Sequence, residues 1–98
     1  MPRFVVRITD PASEQLEDLP VEIRLPLLRK IQSLGDSPFP RGTTIKRLKT
    51  QPALYRLRHG DYRAVYRIKG RNIEVIEIVH RRELDLTVRK ILQRLARS

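Results

Sequence analysis

Residues 54–79 constrain the fold most, because three strand-like runs are punctuated by glycines at hairpin spacing. Leu54 to Arg58, Tyr62 to Lys69 and Asn72 to Val79 are rich in aromatic and β-branched residues, which suit a pleated, half-buried surface. Between them, His59-Gly60-Asp61 and Gly70-Arg71 place glycine where a tight hairpin needs a dihedral that other residues resist. The pattern predicts a three-stranded antiparallel meander. Arg3 to Thr9 alternates apolar with basic or polar residues after Phe4, as an edge or half-buried strand does, and is expected to complete a four-stranded antiparallel sheet.

The intervening segment reads as a helical hairpin. Asp10 is placed to cap a short helix that begins with Pro11 and runs to about Asp18, with Glu14 and Glu17 toward its positive end. Leu19-Pro20 breaks that helix. From Val21, residues Ile23, Leu27, Leu28, Ile31 and Leu34 recur at helical spacing, while Pro26 falls early enough to cost little or to kink the helix. Gly35 ends this second arm, and residues 36–42 follow as an aperiodic loop. After the meander, Leu84, Val88, Ile91, Leu92 and Leu95 form the stripe of an amphipathic C-terminal helix. The 98 residues thus make one α+β domain, spanning 1–98, with the hairpin on one sheet face and the other face partly open.

Charge says where a partner would bind. The net charge is +10, and it is unevenly placed: residues 1–40 carry five basic and six acidic side chains, residues 41–98 sixteen and five. Such a field attracts phosphate backbones, acidic membrane surfaces or an acidic protein. The chain has no cysteine, which excludes disulfides and thiolate metal sites, and no apolar run long enough to span a bilayer; a cytoplasmic location is expected.

Strand alternation sorts the meander by face. Arg56 and Arg58 share one side of the first strand, and Arg63, Val65 and Arg67 oppose Tyr62, Ala64, Tyr66 and Ile68 on the second. The tyrosines read as core. Guanidinium groups are planar forks matched to phosphate oxygens, so two arginines from each strand favour a sugar–phosphate backbone over a merely solvated face. Lys46, Arg47 and Lys49 precede the meander, and His80-Arg81-Arg82-Glu83 follows its last strand. Histidine is the residue type whose ordinary pKa lies nearest neutrality, which makes His80 the candidate for acid–base work and His59, in a turn, an incidental one. No metal cluster, phosphate loop or hydrolase triad is present, and no cofactor is expected.

Two blocks carry a resemblance. Tyr55-Arg56-Leu57-Arg58-His59-Gly60-Asp61-Tyr62-Arg63-Ala64-Val65-Tyr66-Arg67-Ile68 and Ile78-Val79-His80-Arg81-Arg82-Glu83 resemble the RelE/ParE toxin superfamily, most closely its RelE branch, over nearly the whole chain. The resemblance implies a compact sheet with two N-terminal helices. It further implies a metal-free mRNA endoribonuclease that uses the ribose 2′-hydroxyl as nucleophile, acts at the ribosome and is neutralised by a cognate antitoxin in a hetero-oligomer. By position it assigns transition-state charge stabilisation to Arg63 and Arg82, and phosphate positioning to Lys46, Lys49, Arg56, Arg58 and Arg81; either Arg81 or Arg82 matches the family's arginine at the sheet end. Where many members carry a tyrosine after this block, the chain has Asp85, which points to weak or altered nuclease activity with His80 as the remaining proton-transfer group. A ParE-like inhibitor of gyrase, or a catalytically weak member that mainly binds its antitoxin, are the alternatives. The apolar stripe of Leu84–Ser98, which needs a groove, is the candidate antitoxin contact.

Overall fold

The computed structural model describes residues 3–97. Its elements are β1 (Val5–Ile8), α1 (Asp10–Glu17), α2 (Val21–Ser33), β2 (Ile45–Arg47), β3 (Tyr55–His59), β4 (Tyr62–Lys69), β5 (Asn72–His80), a single 3-10 turn (Arg81–Glu83) and α3 (Leu84–Arg97). The meander and the three helices lie where the sequence places them.

The sheet differs from expectation in two ways. It has five strands in the order β1-β5-β4-β3-β2, and it is mixed, because β1 runs parallel to β5 while every other pair is antiparallel. The extra strand is the basic segment Ile45–Arg47, whose three residues are too few to display alternation. The helical hairpin carries the chain from β1 across the sheet to β2 at the opposite edge, and the antiparallel steps from β2 through β3 and β4 return β5 beside β1 in the same direction. Both meander turns are two-residue loops with positive φ at the first position alone, Gly60 at 57° and Gly70 at 60°, as type II′ turns require.

Thr9, rather than Asp10, caps α1. Its hydroxyl accepts from the Ala12 N–H (3.2 Å) and donates to the Ile76 carbonyl (2.7 Å), so the cap also fastens the helix to β5. Pro26 sits inside a helix that continues through to Ser33.

Two cores lie on opposite sides of β4. Ala64 and Tyr66 face Leu16, Leu27, Ile31 and Leu57 beneath the hairpin, whereas Val65 points the other way, toward Leu54, Val88 and Ile91. The second sheet face is therefore not open along its length: α3 covers part of it, and the stripe expected to meet an antitoxin finds its groove within the chain. Where the register shifts after Val65, Ile76 and Glu77 crowd one position. Gln15 of α1 braces this irregularity, its oxygen accepting from the Ile78 N–H (2.7 Å) and its amide donating to Glu77 (3.2 Å); Glu77 in turn accepts from Arg94 of α3. One polar chain thus ties helix, sheet and helix.

Tyr66 is fully buried, stacks on Tyr55 with ring centroids 5.4 Å apart, and donates its hydroxyl to the Pro38 carbonyl at 2.7 Å. Burial raises its pKa far above the ordinary phenol value, so it remains a donor and anchors the 36–42 loop. Replacing Tyr66 with Phe leaves a buried carbonyl unpaired. The expected cost is about 1–3 kcal/mol, read as a lower urea midpoint with an unchanged slope.

Candidate functional site: an arginine row beside the C-terminal helix

β-sheet register brings the predicted cations to one face. Arg58 stands directly opposite Arg63, and Lys46 directly opposite Arg56, on the face that also carries Val65. Cross-strand neighbours of like charge repel. Among the described residues, the ion pairs are Arg67–Glu74, Arg81–Asp61 and Arg94–Glu77, so Lys46, Arg56, Arg58 and Arg63 have no carboxylate within ion-pair distance.

Backbone carbonyls hold two of these side chains instead. Arg63 donates from Nη1 to the carbonyls of Gly60 and Tyr62, both at 2.9 Å, which folds it back over the β3–β4 turn; Arg56 donates to the Thr43 carbonyl at 2.8 Å. Burial lowers the pKa of Arg63, joined by the positive charges of Arg56, Arg58 and Arg81 and opposed by Asp61. Arg56 is lowered by burial and then by Arg58. Guanidinium remains protonated under such shifts, so these groups serve as fixed cations rather than bases.

Arg81 joins the row through Asp61. Its N–H donates to the Asp61 carbonyl at 2.7 Å and its Nε lies 3.5 Å from the Asp61 carboxylate, which draws the start of the 3-10 turn to the β3–β4 tip. Arg82 is exposed on the same turn.

His80 takes a different place. It pairs with Tyr62 in register, and the two rings meet edge to face at 5.7 Å on the helical-hairpin side of the sheet, away from Arg58 and Arg63. Its Nδ1 accepts the Arg82 N–H at 3.3 Å, capping the turn that carries Arg81 and Arg82. That role was not legible from spacing, because histidine is not one of the usual N-cap residues. Lys49 also stands apart from the row, in the β2–β3 loop beside α3.

His59 pairs with Tyr62 from β3, so it lies on the same side as His80, and its Nδ1 is buried without a hydrogen-bond partner among the described residues. Burial lowers its pKa, helped by Lys30. The unfolded chain therefore binds a proton at His59 more readily than the folded one, and the stability this histidine supplies is present above its ordinary pKa and lost as pH falls below it. Thermal unfolding at pH 7.5 and 5.5 should show a smaller acid-side loss for His59→Gln than for the parent. Relief of the like-charge pair makes a second expectation: Arg58→Gln raises stability by about 0.5 kcal/mol in low salt, and the gain shrinks as salt is added.

Comparison with known proteins agrees with this architecture. The family model for the ParE toxin of type II toxin–antitoxin systems, parDE, matches residues 6–85. No curated protein matches the sequence. Among solved structures, the archaeal RelE–RelB complex from Pyrococcus horikoshii is 26% identical, covering 81% of this chain and 96% of that one with a TM-score of 0.71. The RelBE2 toxin–antitoxin complex from Mycobacterium tuberculosis is 27% identical over 83% of this chain and 100% of that one, TM-score 0.68. The free E. coli toxin RelE, an arginine-to-alanine double mutant, shares the fold at 22% identity over 96% of this chain and 98% of that one, TM-score 0.72. The chain belongs to the ParE toxin family of type II toxin–antitoxin systems, within the RelE/ParE superfamily.

Proposed function

We propose that this toxin cleaves single-stranded RNA, namely mRNA engaged with the ribosome in the cytoplasm, and that a cognate antitoxin silences it by a stable complex. The observation that carries the reading is the row of cations on β2, β3 and β4. Two cross-strand pairs of like charge, Lys46 with Arg56 and Arg58 with Arg63, are held on one face with no carboxylate within ion-pair distance among the described residues, an arrangement that costs folding energy and returns it when a polyanion binds.

In the proposed step the ribose 2′-oxygen attacks the adjacent phosphorus, the bond to the 5′-oxygen breaks, and the products are a 2′,3′-cyclic phosphate and a 5′-hydroxyl. The 2′-hydroxyl proton passes to a solvent water and the leaving 5′-oxygen takes up a proton from another, because the guanidinium groups of the row stay protonated. In this reading Arg63, held by the Gly60 and Tyr62 carbonyls and flanked by Arg58, stabilises the phosphorane, and Arg56, Lys46 and Arg81 position the flanking phosphates. His80, with Nδ1 engaged, acts in this reading by positioning Arg81 and Arg82. Arg82 would add charge from the same turn, and Lys49 would meet the strand beyond the row.

The antitoxin partner is supported by the structural relatives, of which two at 26% and 27% identity are RelE–RelB or RelBE2 complexes. A second reading, inhibition of DNA gyrase, is favoured by the match to the ParE family model. Induction in cells with mapping of mRNA 5′ ends separates the two. New ends in translated messages, lowered about a hundredfold or more in Arg63→Ala, support the nuclease. Growth arrest without new ends, together with lost supercoiling by purified gyrase, establishes the other.

A further inference from the structure

β1 ends at Ile8, opposite Val75, so the part of β5 beyond Val75 has no strand on its outer edge. Side chains from α1 and its cap take the place of one. The Thr9 hydroxyl donates to the Ile76 carbonyl and the Gln15 side-chain oxygen accepts from the Ile78 N–H, each at 2.7 Å. These two backbone groups flank Glu77, which pairs with Val65 while Val75 pairs with Tyr66, so Ile76 is the additional residue of a β-bulge. The bulge corrects parity. Val75 and Ile78 are three positions apart, yet both enter the core beneath the helical hairpin, which simple alternation forbids. From Ile78 onward the bulge therefore decides which side each residue takes, and it brings His80 opposite Tyr62 and the Arg81 N–H to the Asp61 carbonyl.

We infer that Gln15 is a positioning residue for Arg81 and Arg82: its bond to Ile78 locks the bulge, and the locked bulge sets the strand end from which both arginines leave the sheet. The inference rests on the RNA reading above, in which those arginines meet the substrate. The Gln15 amide also donates to Glu77 at 3.2 Å, and Glu77 accepts from Arg94 of α3, so the 3-10 turn is held through the same carboxylate from the strand before it and the helix after it. The position asks for an acceptor toward a strand amide and a donor toward a carboxylate, and glutamine supplies both. Without this brace the bulge is free to slide toward the strand end. Each residue it passes changes face and moves by one position along β4, and the turn that follows lets go of the Asp61 carbonyl for part of the time. A turn loosened in this way costs the reaction more than the fold, because charge stabilisation depends on where the guanidinium groups stand.

The test uses the full chain and two readouts: cleavage of messages engaged with ribosomes, and exchange of the Arg81 amide hydrogen followed by NMR relative to the Ile31 amide in α2. Gln15→Met keeps the length of the side chain and removes both hydrogen bonds. It should lower kcat about tenfold with KM within about twofold, and speed Arg81 exchange about tenfold relative to Ile31, because the opening is local to the strand end. Tyr66→Phe, which loosens the fold from the 36–42 loop, is the control; it lowers overall stability but leaves kcat and the exchange ratio in place. Rescue comes from exchanging the two partners. Gln15→Glu sets two carboxylates together and lowers kcat, whereas Gln15→Glu combined with Glu77→Gln restores it, since the carboxylate at 15 accepts from Ile78 and from the new amide, whose oxygen remains for Arg94. Equal losses of kcat in Gln15→Met and Tyr66→Phe, or an unchanged exchange ratio in Gln15→Met, make Gln15 a merely structural residue and overturn the inference. A double variant no more active than Gln15→Glu overturns the hydrogen-bond account. If the parent cuts no message while Gln15→Met still frees the Arg81 amide, the RNA reading falls and the hold of Gln15 on the turn stands.

Discussion

Burial of β4 on both faces is the constraint on which the rest of the molecule depends. Ala64, Val65 and Tyr66 are all fully buried, and because successive side chains point to opposite faces, two separate cores must be satisfied by adjacent residues. The helical hairpin fills one side around Ala64 and Tyr66, and α3 fills the other around Val65. A slip of one residue would drive Arg63 and Arg67 into the hairpin core, so the register is fixed by the apolar residues and the arginines inherit their positions from it. Their clustering is thus a product of packing elsewhere in the strand.

This explains how the fold tolerates the repulsion at its surface. Arg58 and Arg63 face each other beside the β3–β4 turn, where Arg58 is exposed to water that weakens the repulsion. Arg63 spends two of its donors on carbonyls of its own turn, which fixes its direction at little cost in rotamer freedom. Asp61 serves the same end: paired with Arg81, it recruits another cation to the tip and neutralises the row only in part. On the RNA reading, a site kept ready for a polyanion sacrifices some stability of the free chain, as functional surfaces commonly do.

The sequence made the local elements legible because their periods are strong and their stops are glycine or proline. Gly60 and Gly70 located both hairpins, and alternation alone sorted Arg56, Arg58 and Arg63 to a common side. What it concealed was long-range. Ile45–Arg47 is too short to show a period, and its pairing with β3 depends on where the 36–42 loop leads the chain, which Tyr66 fixes from 28 residues away. Thr9 replaced Asp10 as cap because its hydroxyl could serve the helix and the Ile76 carbonyl at once, a choice visible only when β5 lies alongside. His80 was placed with the arginines by proximity in sequence, yet strand alternation turns it toward Tyr62, and the bend into the 3-10 turn gives its Nδ1 to the Arg82 amide.

The place of His80 limits the chemistry that the RNA reading can assign to this chain. A guanidinium cluster stabilises charge that develops on a phosphorane, but it does not take a proton from a 2′-hydroxyl, because each member stays protonated. His80 has one ring nitrogen committed to the turn and lies across the sheet, so its influence reaches the row through the arginines it positions. On that reading the chain contributes mostly electrostatics and orientation, terms that reach their full value when the strand is held in an in-line geometry from outside. A free oligonucleotide must be ordered by the toxin alone, so on the RNA reading a strand already held by the ribosome is the better substrate.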